Sequence, residues 1–438
     1  MRYVLNTLTT VVLKSEALRQ SLTMSIGNFI TAGLMAVAMI LAARALGPEQ
    51  FGAFSVVISI MVISSKFTDL GLHQLIPRLF HRWNESTAQQ AQFMHWLYTW
   101  KVRLSLALLI LSGLAVPVLE SVVTVSDPVL IWFSLLGAIL LGWYEFIHLA
   151  LSSLHRFTAV SFITVLQAVV KFTGFLMIVF LLMDTSAIFS FMPTLAIWNY
   201  SIDSVSLLRI FVFVYCIAPA VSFFWISVFN KWNTITKNDL DADTLSEQKK
   251  AISKAVWRFL PHAAVGTATM VLIQNVDILL VNNQLNAFET GIYAGAVRVT
   301  LVISLFTYAI SSVLNNRITR YNTVERISSY LTKSFGLAFV ALLGFILFIP
   351  IARPLLIVTI GAEYVSGLLP FIILIGNAFL GLALVPYTSF FFRLDVPWAN
   401  SVGGILQRVP LLLITLFFLQ HYDIVVSSIT RVVTTDLL

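Results

Sequence analysis

Charge is what this sequence has least of. Of its 438 residues only 11% are Asp, Glu, Lys or Arg, while 58% are hydrophobic. A soluble domain carries about 25% charged residues. So few charges cannot clothe a water-facing surface, which excludes a soluble multidomain enzyme and leaves a polytopic membrane protein. Cysteine is scarcer still: Cys216, inside an apolar run, stands alone. That excludes an internal disulfide and a cysteine-rich metal centre. No His pair or carboxylate cluster has metal-ligand spacing. No glycine-rich phosphate loop opens a helix in the single long polar stretch, and nothing in the sequence resembles a catalytic triad. The expectation is a chain with no cofactor, no metal and no catalytic residues.

What the sequence does have is long apolar runs. A helix needs about 20 apolar residues to cross roughly 30 Å of hydrocarbon. Runs of that kind fall near 22–43, 51–73, 98–119, 128–151, 158–183, 207–229, 258–281, 288–314, 329–351, 366–389 and 396–419, with a shorter twelfth segment at 424–438 that carries Arg431. The fold class expected is an all-α polytopic membrane protein of about 12 helices in two pseudo-symmetric six-helix lobes. The lobes are residues 1–229 and 258–438, joined by a polar cytoplasmic linker at 230–257.

The formal net charge of +7 invites a nucleic-acid reading. In a membrane protein it reflects instead Lys and Arg retained on the cytoplasmic side. With the N-terminus inside, 19 of the 27 basic residues fall in inner segments and only Arg44, Arg209 and Arg353 in outer ones. The first 20 residues, interrupted by Lys14, Glu16 and Arg19, read as an amphipathic helix on the inner leaflet rather than a cleavable signal. The aromatic-rich outer stretch 184–206 belongs at the membrane interface.

The two halves are related by an internal repeat. Residues 27–78 align without a gap onto 266–317 at an offset of 239, and Gly27/Gly266, Leu46/Leu285, Gly52/Gly291, Thr68/Thr307 and Arg78/Arg317 coincide. Both copies start inside, so the repeats are parallel, related by an axis along the membrane normal. Gly47-Pro48-Glu49 is then the outer turn of the first helical hairpin, with Pro48 suited to the first turn of the next helix. Gly52 and Gly291 suit close helix approach.

A few charges lie where charge is expensive. At 1.5 Å per residue, Lys171 lies roughly 20 Å from the inner end of its span, Arg298 roughly 15 Å from the outer end, and Arg408 roughly 18 Å from the inner end. Ionisable groups at such depth mark functional sites. Gln167 precedes Lys171 on one polar stripe with Ser161 and Thr164. Glu145, about 10 Å from the inner face, is the only acid placed to offset the central cations. Lys66 and Asp69 near the inner end of the second span, and Asp277 near the outer end of the seventh, are candidate gating or coupling residues. A positive cavity binds an anion, and Arg forks onto phosphate oxygens. Lys171, Arg298, Arg408, Gln167 and Glu145 are therefore the expected substrate-binding residues. The scattered histidines His148, His155 and His262 are better read as packing residues than as proton carriers.

The stretch "ARALGPEQFGAFSVVISIMVISSKFTDLGLHQLIPRLF" (42–80), above all its "LGPEQFG" turn and "TDLGL" helix end, resembles the start of the bacterial polysaccharide-biosynthesis membrane proteins. These are the O-antigen-type flippases of the multidrug/oligosaccharidyl-lipid/polysaccharide exporter superfamily. "QNVDILLVNNQLNAFETGIYAGAVRV" (274–299) resembles the hairpin of that family's seventh and eighth helices, with Asp277 and Arg298 in matching places. The resemblance implies two lobes in the bacterial inner membrane, N-terminus cytoplasmic, moving an undecaprenyl-pyrophosphate-linked oligosaccharide outward. It also implies membrane lipid as surroundings, and polysaccharide polymerase and chain-length proteins as partners. Two other readings stand beside it. A drug exporter of the same superfamily would want unpaired acids in its cavity. A membrane polymerase or glycosyltransferase would want catalytic groups in a large outer loop.

Overall fold

The computed structural model describes residues 16–72, 76, 87–123, 127–182, 203–225, 242–301 and 324–393. The expected amphipathic start, the interfacial stretch 184–206, the last two apolar segments and Arg408 lie outside these residues, wholly or for the most part. The described chain is helical, and the protein is a multi-pass membrane protein. Among the described residues, seven helices are long and apolar enough to span a bilayer. They leave large apolar side chains bare, such as Phe29, Ile110, Leu114, Phe339 and Leu347. In water such a surface would aggregate; in a bilayer it meets acyl chains.

Helix α1 (Glu16–Phe67) is the hub. At 52 residues it is too long for one crossing. It is two arms that meet at Gly47, whose φ of 67° and ψ of 173° are non-helical. A φ in that range strains any residue with a Cβ, and Pro48 opens the second arm where its missing N–H costs no helical bond. The turn expected at Gly47-Pro48 is therefore a corner, with no loop residues around it. Helix α2 (Thr87–Val122), α3 (Pro128–Ser153), α4 (Phe157–Leu182) and α5 (Ser204–Ile217) complete the described part of the N-terminal half, and α5 runs into a 3-10 helix at Ala218–Trp225. Asp127 caps α3 by accepting from the Val129 N–H at 3.1 Å, and Asp203 caps α5 by accepting from the Ser206 N–H at 2.6 Å. The α3 and α5 starts are tied together, because Arg209 Nε donates to Asp127 Oδ2 at 2.6 Å. That contact holds the Asp127 carboxyl below its ordinary range.

In the C-terminal half, α6 spans Ala242–Gln284, a further helix α7 covers residues 287–301, and α8 spans Val324–Thr359. A 3-10 turn at Ala362–Gly367 leads into α9 (Leu368–Arg393). Helix α6 begins well inside the stretch 230–257 that reads as a linker. Its Ala, Leu, Glu, Gln and Lys residues are strong helix formers, and polarity alone does not separate a solvated helix from a loop.

The α1 arms pack on α4, α3 and α5, and against α6 of the other half. The core is aromatic where these meet. Phe54 has Phe175, Phe211 and Tyr215 edge-on at 6.0, 6.5 and 5.8 Å between ring centroids. Helices in lipid gain little from burying apolar area, so tight packing holds them. It is tightest where the halves cross. A Cβ on Gly52 would overlap Ala287 O and stand 2.8 Å from Gly291 N, and one on Gly291 would overlap Pro48 O and stand 3.0 Å from Gly52 N. Residues 48 and 52 are the repeat equivalents of 287 and 291. The contact is thus reciprocal, as a two-fold axis requires, and the axis passes between the two glycines.

Candidate functional site

The end of the N-terminal half where α1 terminates gathers four charges that no single stretch of sequence holds together. Lys66 stands in the last turn of α1. Glu145 reaches it from α3, and Lys66 Nζ donates to both carboxylate oxygens at 2.7 Å. The pair is partly open, with side chains 16% and 28% exposed. One helical turn along α3 lies His148, and Tyr144 donates to Thr164 Oγ1 of α4 at 3.3 Å. Lys66, Tyr144, Glu145, His148 and Leu149 line a pocket of about 280 Å³. Behind it Lys101 of α2 is 0% exposed. Its ammonium donates to Thr68 O and Thr68 Oγ1, both at 3.0 Å. Gly142 leaves the room, since a Cβ there would stand 2.9 Å from that ammonium. Asp69 is buried next to the same turn, and its charge and that of Glu145 act on Lys101.

Two cations and two anions therefore balance at this end. A buried charge without such company would cost several kcal/mol. Glu145, the acid expected to offset the central cations, bonds to Lys66. Lys101 is not among the residues that the sequence singles out, because it lies at the start of the apolar run near 98–119 and counts there only as one of the inner basic residues. The helix starts at Thr87, which puts Lys101 roughly 20 Å along it and against the end of α1. A lysine at the edge of an apolar run was the available signal.

Lys171 lies elsewhere. It is 5% exposed on α4, with Nζ 3.9 Å from the centroid of the Tyr215 ring on α5. That is cation–π geometry in a desolvated setting, and among the described residues no carboxylate pairs with it. Gln167 is buried one turn before it. Arg298 is half-buried on α7, seven residues beyond Gly291 and hence on the face that meets the N-terminal half. Its repeat equivalent is Ser59, itself buried on the second arm of α1. Asp277 stays within the C-terminal half. It accepts from Tyr293 Oη at 2.6 Å and from the Ile278 N–H at 2.9 Å, joining α6 to α7. No group of three or more His, Cys, Asp or Glu suited to a metal occurs among the described residues.

The site residues thus form three stations: a balanced cluster at the end of α1, Lys171 with Gln167 inside the N-terminal half, and Arg298 beneath the glycine crossing. The two further cations suit an anion.

Residues 17–197 match the family model described as polysaccharide biosynthesis protein. The matched span contains residues 42–80, where the sequence resemblance is clearest. No curated protein matches the chain. Among solved structures the chain is similar to a lipid II flippase, MurJ, in an inward closed conformation, with a TM-score of 0.63 and 12% identity over 94% of this chain and 84% of that one. It is similar also to an inward-facing multidrug resistance MATE family transporter of the MOP superfamily, with a TM-score of 0.56 and 13% identity over 92% and 90%. A MOP superfamily transporter from Pyrococcus furiosus gives a TM-score of 0.52 and 12% identity over 97% and 94%. At these identities the likeness is one of fold, and that fold is the one used by a flippase and by transporters.

Proposed function

We propose that this protein is a flippase that moves a lipid-linked oligosaccharide, carried on undecaprenyl pyrophosphate, from the cytoplasmic to the outer leaflet of the bacterial inner membrane for surface polysaccharide assembly. Residues 1–229 and 258–438 act as two lobes about a central cavity, linked through 230–257, with the N-terminus cytoplasmic. The observation that carries this reading is Lys171. It is a lysine at mid-bilayer depth, held inside protein against a tyrosine ring with no carboxylate partner among the described residues. A lysine placed there at a cost of several kcal/mol has a use for an anion. Arg298, under the crossing of the halves, supplies a planar fork for phosphate oxygens, and Arg408 is a third candidate.

In this mechanism the pyrophosphate meets the cations, the sugar rides in the cavity and the prenyl tail stays in lipid. Lobe rocking then exposes the cargo to the other side. The Lys66–Glu145 pair, Asp69 and Asp277 adjust the helices that move. The partners expected are membrane lipid, the lipid-linked glycan, and polymerase and chain-length proteins that receive it.

The test is reconstitution into liposomes with a labelled prenyl-pyrophosphate oligosaccharide. The label becomes accessible on the opposite face, chemically unchanged, if the reading holds. A covalently altered label would instead assign an enzyme. In cells, Arg298→Ala and Lys171→Ala abolish surface glycan while the protein remains in the membrane; normal export in both would remove these residues from the mechanism.

A further inference from the structure

At the end of the molecule that carries the Gly47 corner, two side chains cross between the halves. Each lands on the end of a helix in the other. Arg44, in the last turn of the first α1 arm, donates from Nε to Thr359 O at 2.7 Å and from Nη2 to Val358 O. These are the terminal carbonyls of α8, which have no partner within their own helix. A guanidinium there also meets the negative end of the helix dipole. In the opposite direction Tyr364, buried in the 3-10 turn after α8, donates from Oη to Ala43 O at 2.9 Å. Ala43 lies one turn before the break at Gly47. The Tyr364 ring stands edge-on to Phe51 at 6.4 Å. Directly beneath lie Gly52 and Gly291, backbone against backbone.

We infer that Arg44 and Tyr364 form a latch that holds the two halves shut at this end. It closes the entrance above Arg298 and opens when the halves rock. The chemistry suits a latch and not a permanent seam. Arg44 is exposed and bonds to neutral carbonyls at an exposed helix end, so water can replace its acceptors at small cost when the halves part. Tyr364 is buried and gives up one hydrogen bond. The glycine pair below has no side chains of its own to interlock. The same two helix ends would be left uncapped in the open form, which gives closing a defined end point.

The inference rests on the two-lobe transport reading above, and its test is independent of cargo. The parent is the full chain with Cys216→Ala and one reporter, Ser59→Cys. Position 59 follows Gly52 by two turns on the same face and is buried. Right-side-out membrane vesicles receive a membrane-impermeant maleimide, and the labelling rate at position 59 is measured. Adding Arg44→Ala and Tyr364→Phe together is expected to raise that rate about tenfold, the loss of three hydrogen bonds each at the low end of its usual worth. Arg44→Lys, which keeps the charge but loses the fork, is expected to fall between. Each variant is compared at equal melting temperature margin in detergent, so that general unfolding is recognised by labelling at Leu72→Cys, which is buried at the opposite end and should not change. An unchanged rate at position 59 in the double variant overturns the latch. A raised rate in a protein that moves no glycan in liposomes leaves the latch standing and overturns the cargo. Glycan transfer with no change at position 59 does the reverse.

Discussion

The reciprocal glycine crossing makes a quantitative demand. With a Cβ on Gly52, the new carbon would stand 2.9 Å from Ala287 C and 2.8 Å from Gly291 N; with one on Gly291, 2.6 Å from Pro48 C. Ordinary contact begins at 3.4 Å, and the neighbours are backbone, which cannot swing aside. The arms of α1 and α7 must therefore separate by roughly 1 Å, against packing that costs about 1–3 kcal/mol to distort. That is a factor of about 5 to 150 against the closed arrangement. Gly52→Ala and Gly291→Ala should each lower the melting temperature in detergent by a few degrees. Because both relieve the same contact, the double variant should cost less than the two single changes added. Gly113→Ala is the control. Nothing lies within 4 Å of a Cβ at that helical position, so alanine should be neutral or stabilise by about 0.5–1 kcal/mol. If Gly52→Ala melts at or above the parent temperature, the halves do not cross at backbone contact and the symmetry argument fails with it.

Two other outcomes follow from the charges. Glu145→Gln leaves Lys66 facing a neutral amide. The pair is partly exposed, so the loss should lie between the surface and buried cases, about 1–3 kcal/mol; in a melting experiment, Lys66→Met with Glu145→Leu should recover part of it, and equal stability of Glu145→Gln and parent would deny the pair any role. At the other end, Arg209 holds the Asp127 carboxyl below its ordinary 3.8. A depressed folded value means the contribution is complete above 3.8 and is lost as pH falls through the lower, folded value. Arg209 is 45% exposed, so solvent screening keeps the contribution small. Asp127→Asn keeps a cap for α3 but drops the charge. Its melting temperature should lie below the parent's at pH 6 and converge with it only as the pH falls below 3.8 and through the depressed folded value; a gap that persists in stronger acid would assign the effect to the cap.

Several elements were legible because one physical rule governs each. Apolar runs at 128–151 and 158–183 became α3 and α4 with ends within a few residues, since hydrocarbon thickness sets length. The offset of 239 named Gly52 and Gly291 as equivalents, and the fold brought them together. Other features were out of reach. The burial of Lys101 against Thr68 is one, because packing decides which face of α2 meets the end of α1. The partner of Glu145 depended on which faces of α1 and α3 meet, a choice made by packing and not by depth. Arg44 was counted as an outer loop cation, because nothing in the sequence says that the corner at Gly47 has no loop.

The sequence by itself determined the solvent this protein lives in, the repeat that relates its halves, and the fact that a few cations sit where lipid would otherwise be. Composition and periodicity carry those properties, and they do not depend on which helix touches which. Only the tertiary structure decided that Lys66 takes Glu145, that Lys171 rests on Tyr215, and that Arg44 and Tyr364 reach across to the opposite half. Each of these is a contact between residues far apart in the chain, and its partner is chosen by the rotation and crossing of helices whose apolar surfaces are nearly interchangeable.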